Sequence, residues 1–190
     1  MVTKYLFSSC PPNLKFLISS MLLCYTGNGK GKTTAALGAV LRAHGHGMRV
    51  CVIQFMKNTD TGELKALQKL PGVEILQSGK GFFKILNNNF TETDHKKAAE
   101  HALALAEEKI TSHACDLLVL DEINIATHLK LLDTDAVVTV LKKAPGALHV
   151  LLTGRNAPQA FLDLADLVTE MKELKHPFQK GIPAVKGIDW

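Results

Sequence analysis

The sequence predicts a three-layer α/β fold, a mostly parallel sheet of about six strands with helices on both faces. Three observations predict it. Short apolar runs rich in β-branched residues alternate with helical patterns; a glycine-rich segment, Gly27-Asn28-Gly29-Lys30-Gly31-Lys32-Thr33-Thr34, joins the first such run to the first helical pattern; and two acidic residues, Asp121 and Glu122, close a later apolar run. Strands alternating with helices of this length form βαβ units, which build parallel sheets covered on both faces. With 190 residues, 46% of them hydrophobic, the chain is long enough for one sizeable core and too short for two.

The first strand is expected at residues 21–25. Residues 33–43 carry alanines, leucines and a valine without proline, and Gly45-His46-Gly47 supplies a stop, so a helix opens directly on the glycine segment. Residues 49–55 have the composition of a strand covered on both faces, and 73–77, 117–120, 149–153 and 167–171 repeat that character. Helical patterns cover residues 63–70 before Pro71-Gly72, 92–110, and 135–143 before Pro145-Gly146. The remaining loops are short except 78–89, which holds Phe82, Phe83 and three consecutive asparagines. Residues 1–20 show no clear periodicity and are expected to form a flexible extension to a single domain over 21–190, or translation begins at Met21.

Composition narrows the classes of function. The net charge of +4 comes from lysines scattered along the chain, with no concentrated basic stripe, which suits a small anion at least as well as nucleic acid. Cys10, Cys24, Cys51 and Cys115 form neither a CxxC pair nor a zinc spacing, so they read as small thiols, mostly buried, in a reducing cytoplasm. No apolar run approaches the roughly 18 residues that span a bilayer. Residues 16–24 after Lys15 faintly resemble a signal peptide, but cleavage there would cut the strand that carries the glycine segment. The eight histidines are not ligand-spaced, and most are expected at the surface or as caps.

The glycine segment carries the chemistry. Glycines at 27, 29 and 31 allow positive φ, so successive N–H groups can turn inward around phosphate oxygens, and Lys30 and Lys32 add charge. The dipole and free N–H groups of the following helix point to the same place, and the Thr33 hydroxyl can reach a magnesium ion. The usual G-x-x-x-x-G-K-[ST] spacing requires glycine at position 26, where this chain has Thr26. The strand before, the helix after and Gly31-Lys32-Thr33 nevertheless give the context of an ATP-binding P-loop, so the fold is expected to be of the RecA-like P-loop NTPase type. Asp121 and Glu122, delivered at the end of a buried strand, are the carboxylates expected to hold the metal with Thr33. Arg155, after Gly154 at a third strand end, can face the triphosphate.

These residues resemble the corrinoid adenosyltransferases, which transfer adenosine from ATP to cob(I)alamin or its cobyrinic acid precursors. The likeness spans residues 22–190. Its markers are Tyr25-Thr26 with the glycine segment, His46-Gly47, Gln54-Phe55-Met56-Lys57, Gly62-Glu63, Leu120-Asp121-Glu122 and Thr153-Gly154-Arg155. Further on come Ala165-Asp166-Leu167-Val168-Thr169-Glu170-Met171, Lys175-His176-Pro177-Phe178 and Gly187-Ile188-Asp189. Thr26 is similar to the family's own variant of the loop. The resemblance implies that doubly reduced cobalt attacks the ribose 5′ carbon and displaces the whole triphosphate. Lys32, Thr33, Arg155 and magnesium or manganese would then stabilise a leaving group, with no protein nucleophile.

The likeness also implies a corrinoid contact on the Gly81-Phe82 loop, with Phe82 matching a family aromatic. Lys84 stands where the family often has tryptophan, and Phe83 or Phe90 substitutes for it. A homodimer and a flavoprotein reductase as electron source are implied in the same way, with no nucleic-acid or membrane partner. Two other readings share the loop and Asp121-Glu122: a RecA-like ATPase acting on nucleic acid or as a motor, and a binding module switched by ATP without chemistry.

Overall fold

A computed structural model describes residues 20–81 and 90–189. Six strands form one sheet: β1 (Leu22–Thr26), β2 (Val50–Gln54), β3 (Val73–Gln77), β4 (Leu117–Asp121), β5 (His149–Thr153) and β6 (Leu167–Glu170). Their order is β3-β2-β4-β5-β1-β6, and every pairing is parallel. The helices are α1 (Lys32–Gly45), α2 (Gly62–Leu67), α3 (Glu92–Thr111), α4 (Ile123–His128), α5 (Thr134–Leu141) and α6 (Gln159–Leu164). The expected three-layer fold is therefore present.

The layers follow from the two-residue period of a strand. Val50 and Val52 of β2, Leu117 and Val119 of β4 and Leu151 of β5 point to one face, where Ala36, Val40 and Ala43 of α1 and Leu67 of α2 cover them. Cys51, Ile53, Leu118, Leu120, Val150 and Leu152 point to the other, against Ala102, Ala106 and Ile110 of α3, Ile123 of α4, Val137 of α5 and Phe161 of α6. A side chain wider than alanine at 102 or 106, both fully buried, would push α3 off the sheet. A Thr91–Asp94 capping box fixes where α3 begins.

Three expectations are corrected. The residues of β6 have the composition of a covered strand, yet all four are exposed, because β6 is the outer strand beside β1. Helices α4 and α6, of six residues each, are too short for a helical period to register in the sequence. Beyond β6 the chain runs to residue 189 with one 3-10 turn (Pro177–Lys180), a long irregular stretch that the sequence reading did not expect; residues 82–89 of the loop it did expect lie outside the described residues. The histidines are mostly at the surface, as expected, with His176 acting as a cap, its ring accepting from the Phe178 N–H, while His95 is buried in α3, 3% exposed. Cys24, Cys51 and Cys115 are buried free thiols, as expected; burial pushes Cys51 up to about 12 and Cys115 up to about 11. Cys10 lies outside the described residues.

Candidate functional site

All six strands end on the same edge, and open parallel sheets bind ligands beyond their carboxyl ends. The turn after β1 carries the glycine segment. Gly27 and Gly31 have φ of 93° and 111°, and Gly31, directly before α1, supplies no side-chain cap to the first turn of that helix. Those N–H groups face the loop with the positive end of the helix dipole behind them, the arrangement that takes an anion. Lys32 is 7% exposed and folds over its own loop, donating from Nζ to the carbonyls of Gly27 at 2.7 Å and Gly29 at 2.6 Å. Burial lowers its ammonium pKa; Glu122 opposes that and Arg155 adds to it. Asn28 and Thr34 are exposed, and Lys30 pairs with Asp189 near the end of the chain.

The loop is held from outside as well. Gly29 N–H donates to the Met171 carbonyl at 2.6 Å, and a Cβ built on Gly27 or Gly29 would lie 2.5 or 2.7 Å from that oxygen. Thr26, the departure from the usual spacing, uses its hydroxyl to accept from the Ala157 N–H at 3.2 Å and so ties β1 to the loop after Arg155.

Asp121, 1% exposed at the end of β4, is the centre of the site. Its Oδ1 accepts from the hydroxyls of Thr33 at 2.8 Å and Thr153 at 2.7 Å; its Oδ2 accepts from the Gln54 amide at 3.1 Å and lies 3.3 Å from Lys57 Nζ. Gln77 donates in turn to Gln54 at 2.9 Å. Glu122 stands next to it in a left-handed conformation, φ 67°, its N–H on the Thr153 hydroxyl at 3.0 Å. Burial, and then the Asp121 charge, push the Glu122 carboxyl up to about 6 against the pull of Lys57, Lys32 and Arg155. Arg155 is exposed just beyond, following Gly154 with φ 132°.

The structure therefore brings Lys32, Thr33, Asp121, Glu122 and Arg155 to one place. Phe82, Phe83 and Lys84 lie outside the described residues. Their stem is described: Gly79 packs so tightly on Met56 and Lys57 that a Cβ there would meet backbone at 2.5 Å.

Sequence reasoning quoted Gln54 and Thr153 as markers of the resemblance without a role in the site, and missed Gln77 and Asn124 altogether. Gln54, Gln77 and Thr153 are polar residues ending apolar strands, and register sets Gln54 opposite both Gln77 and Asp121; that was the available signal. Asn124 gave none. It is fully buried in α4 and donates to the carbonyls of Gly154 at 3.1 Å and Tyr25 at 3.3 Å, joining the ends of β5 and β1.

Fold and site together define an α/β protein of the P-loop, RecA-like kind. A solved structure, the flagellar accessory protein FlaH from Methanocaldococcus jannaschii, is similar over 80% of this chain and 71% of its own, with a TM-score of 0.53 and 11% identity, a likeness of fold alone. Within that class the chain belongs to the ATP:corrinoid adenosyltransferase BtuR/CobO/CobP family, whose model matches residues 19–190. It is 40% identical over 177 residues to a corrinoid adenosyltransferase of a Sinorhizobium species, covering 90% of this chain and 80% of the relative. To the corrinoid adenosyltransferase CobA of Salmonella typhimurium it is 35% identical over 175 residues, covering 90% and 85%.

Proposed function

We propose that this chain transfers the 5′-deoxyadenosyl group of ATP to the cobalt of a reduced corrinoid, either cobalamin or a cobyrinic acid derivative, and releases triphosphate. The observation that carries the reading is family membership over nearly the whole chain, joined to a glycine loop, Lys32, Thr33 and Arg155 on one sheet edge. Co(I) supplies the electron pair of the new Co–C bond. The C5′–O bond breaks, and its electrons leave with the triphosphate. Nothing in this step needs a nucleophile from the protein, and what the protein supplies is neutralisation of accumulating negative charge. Gly27 to Thr34 form the cradle, with Lys32 turning from its own carbonyls to the phosphate oxygens and Arg155 closing from β5.

Magnesium or manganese fits the donors present. Thr33 gives its only proton to Asp121, so its oxygen is otherwise purely an acceptor, and the Glu122 carboxylate, within the electrostatic reach of Lys32 and Arg155, is the second oxygen donor of the site. Among the described residues no three His, Cys, Asp or Glu side chains gather around one point. Such sparse protein ligation suits a cation that keeps several waters and is held largely by substrate phosphates. When bound, it would offset charge on the departing triphosphate. The corrinoid contact falls to Phe82, Phe83 and Lys84, with Phe83 or Phe90 as the second aromatic; a homodimer is the working form, and a flavoprotein reductase in the cytoplasm supplies the electrons.

Incubation with ATP, magnesium and chemically reduced cobalamin is expected to produce the adenosylcobalamin spectrum with one triphosphate released per corrinoid. Release of phosphate and ADP without corrinoid would refute the reading.

A further inference from the structure

Two markers of the sequence, Gln54-Phe55-Met56-Lys57 and Gly62-Glu63, touch no substrate in the proposed reaction, yet they converge on Asp121. Phe55 and Met56 are buried, 1% and 3% exposed, and the Phe55 N–H donates to the Asp121 carbonyl at 3.0 Å. Gly79 presses on the Lys57 backbone from the other side. The main chain at Lys57 is thus pinned from two directions. Its ammonium lies between Asp121 Oδ2 at 3.3 Å and Glu63 Oε1 at 3.1 Å, with the Lys57 and Glu63 side chains only 16% and 19% exposed.

We infer that Lys57, aimed by Glu63, is a positioning residue of the nucleotide site: it locks the Asp121 carboxylate in the rotamer that takes the proton of Thr33. Asp121 has two acceptor positions on each oxygen, and all four are met, by Thr33 and Thr153 on one side and by Gln54 and Lys57 on the other. A carboxylate so surrounded cannot swing. Its fixed Oδ1 keeps the Thr33 hydroxyl oriented with its lone pairs outward. Loss of Lys57 leaves Oδ2 with the Gln54 amide alone, the carboxylate turns, and Thr33 is released to point elsewhere.

Stability is a weak explanation for such a pair. Burying an ammonium and a carboxylate costs desolvation that their attraction seldom exceeds, and apolar replacements are often as stable. Burial does act to lower the Lys57 pKa, but Asp121 and Glu63 outweigh it, so the ammonium is held charged. The pair instead fixes geometry one bond removed from the ligand, as groups that orient metal ligands do.

The inference rests on the proposed use of Thr33 as the oxygen facing a nucleotide-bound cation. The test is calorimetric titration of the full chain with ATP, once in magnesium chloride and once in excess EDTA. Wild type is expected to bind more tightly with magnesium; equal binding in the two, or none, would remove the underlying reading of the site. Given that preference, Lys57→Met is expected to weaken binding about tenfold in magnesium and to leave it unchanged in EDTA. Lys57→Arg should recover most of the loss. Glu63→Gln, a milder change that leaves the lysine in place, should show a smaller loss confined to magnesium.

Equal weakening in both conditions would make Lys57 a direct phosphate ligand and overturn the inference, as would an unchanged affinity in magnesium. Should Lys57→Met fail to fold, Glu63→Gln decides alone: wild-type affinity in magnesium overturns the proposal.

Discussion

Glu122 holds a charge that its burial beside Asp121 disfavours, so replacing it with glutamine should stabilise the nucleotide-free protein. Its carboxyl is pushed from an ordinary 4.5 up to about 6, by burial first and the adjacent Asp121 second. A carboxyl with a raised pKa binds its proton more tightly in the folded than in the unfolded chain. Below pH 4.5 it is protonated in both and has no effect. Between 4.5 and 6 only the unfolded chain has released the proton, so stability falls as pH rises, and above 6 the deficit is constant. At about 1.4 kcal/mol per pH unit, the deficit is about 2 kcal/mol. Urea denaturation in EDTA should therefore find Glu122→Gln more stable than wild type by about 2 kcal/mol at pH 7.5. At pH 4.5 the two should differ by only a few tenths of a kcal/mol. Contributions from other groups are common to both chains and cancel in the difference. A Glu122→Gln protein no more stable at pH 7.5, or one with the same advantage at both pH values, would refute this account of the site's electrostatics.

Three further outcomes are expected. Lys32→Ala should slow adenosyl transfer by two to three orders of magnitude, roughly the effect of deleting one donor to a developing negative charge, and unchanged turnover would rule out its placement on the triphosphate. Gly29→Ala should abolish ATP binding in an otherwise folded protein, since the new Cβ would sit 2.7 Å from the Met171 carbonyl and 2.9 Å from the Lys172 backbone; circular dichroism with ATP titration measures both. Asn124→Ala leaves the Tyr25 and Gly154 carbonyls without its amide and should cost about 2 kcal/mol in urea denaturation.

Where a local pattern sufficed, the sequence was a good guide. The strands at Val73–Gln77 and His149–Thr153 end where their composition ends, and α1 begins within a residue of its expected start because the glycines leave no alternative. Asp121 was legible because an acidic side chain after four buried apolar residues must lie at an edge. Gln54, Gln77 and Thr153 were not, because a single polar residue at a strand end is ordinary until register brings three of them together. The exposure of β6 was hidden for a similar reason: Leu167 and Val168 look like core residues, and their position, paired among the described residues with β1 alone, is a property of topology. Asn124 lies outside any period, on a six-residue helix that the chain does not announce.

The same topology explains the threonine in the glycine loop. The residues after β6 pass directly over the loop after β1, because the two strands are neighbours, and Met171 donates to the Thr26 carbonyl at 2.8 Å and accepts from Gly29. Gly27 and Gly29 therefore have no room for a Cβ whether or not a phosphate is bound, so their glycine requirement is as much one of packing as of anion binding. Thr26 lies one residue earlier, as the last residue of β1, and the first positive φ of the turn comes at Gly27. Glycine's conformational freedom has no use at a strand position, whereas a hydroxyl there gains a bond to the Ala157 N–H and joins the phosphate loop to the segment that carries Arg155. Residues 165–171 and 25–34, far apart in the chain, thus constrain each other through one crossing. Thr26→Gly would preserve the motif in its usual spelling while removing the link that sets the distance between the loop and the arginine.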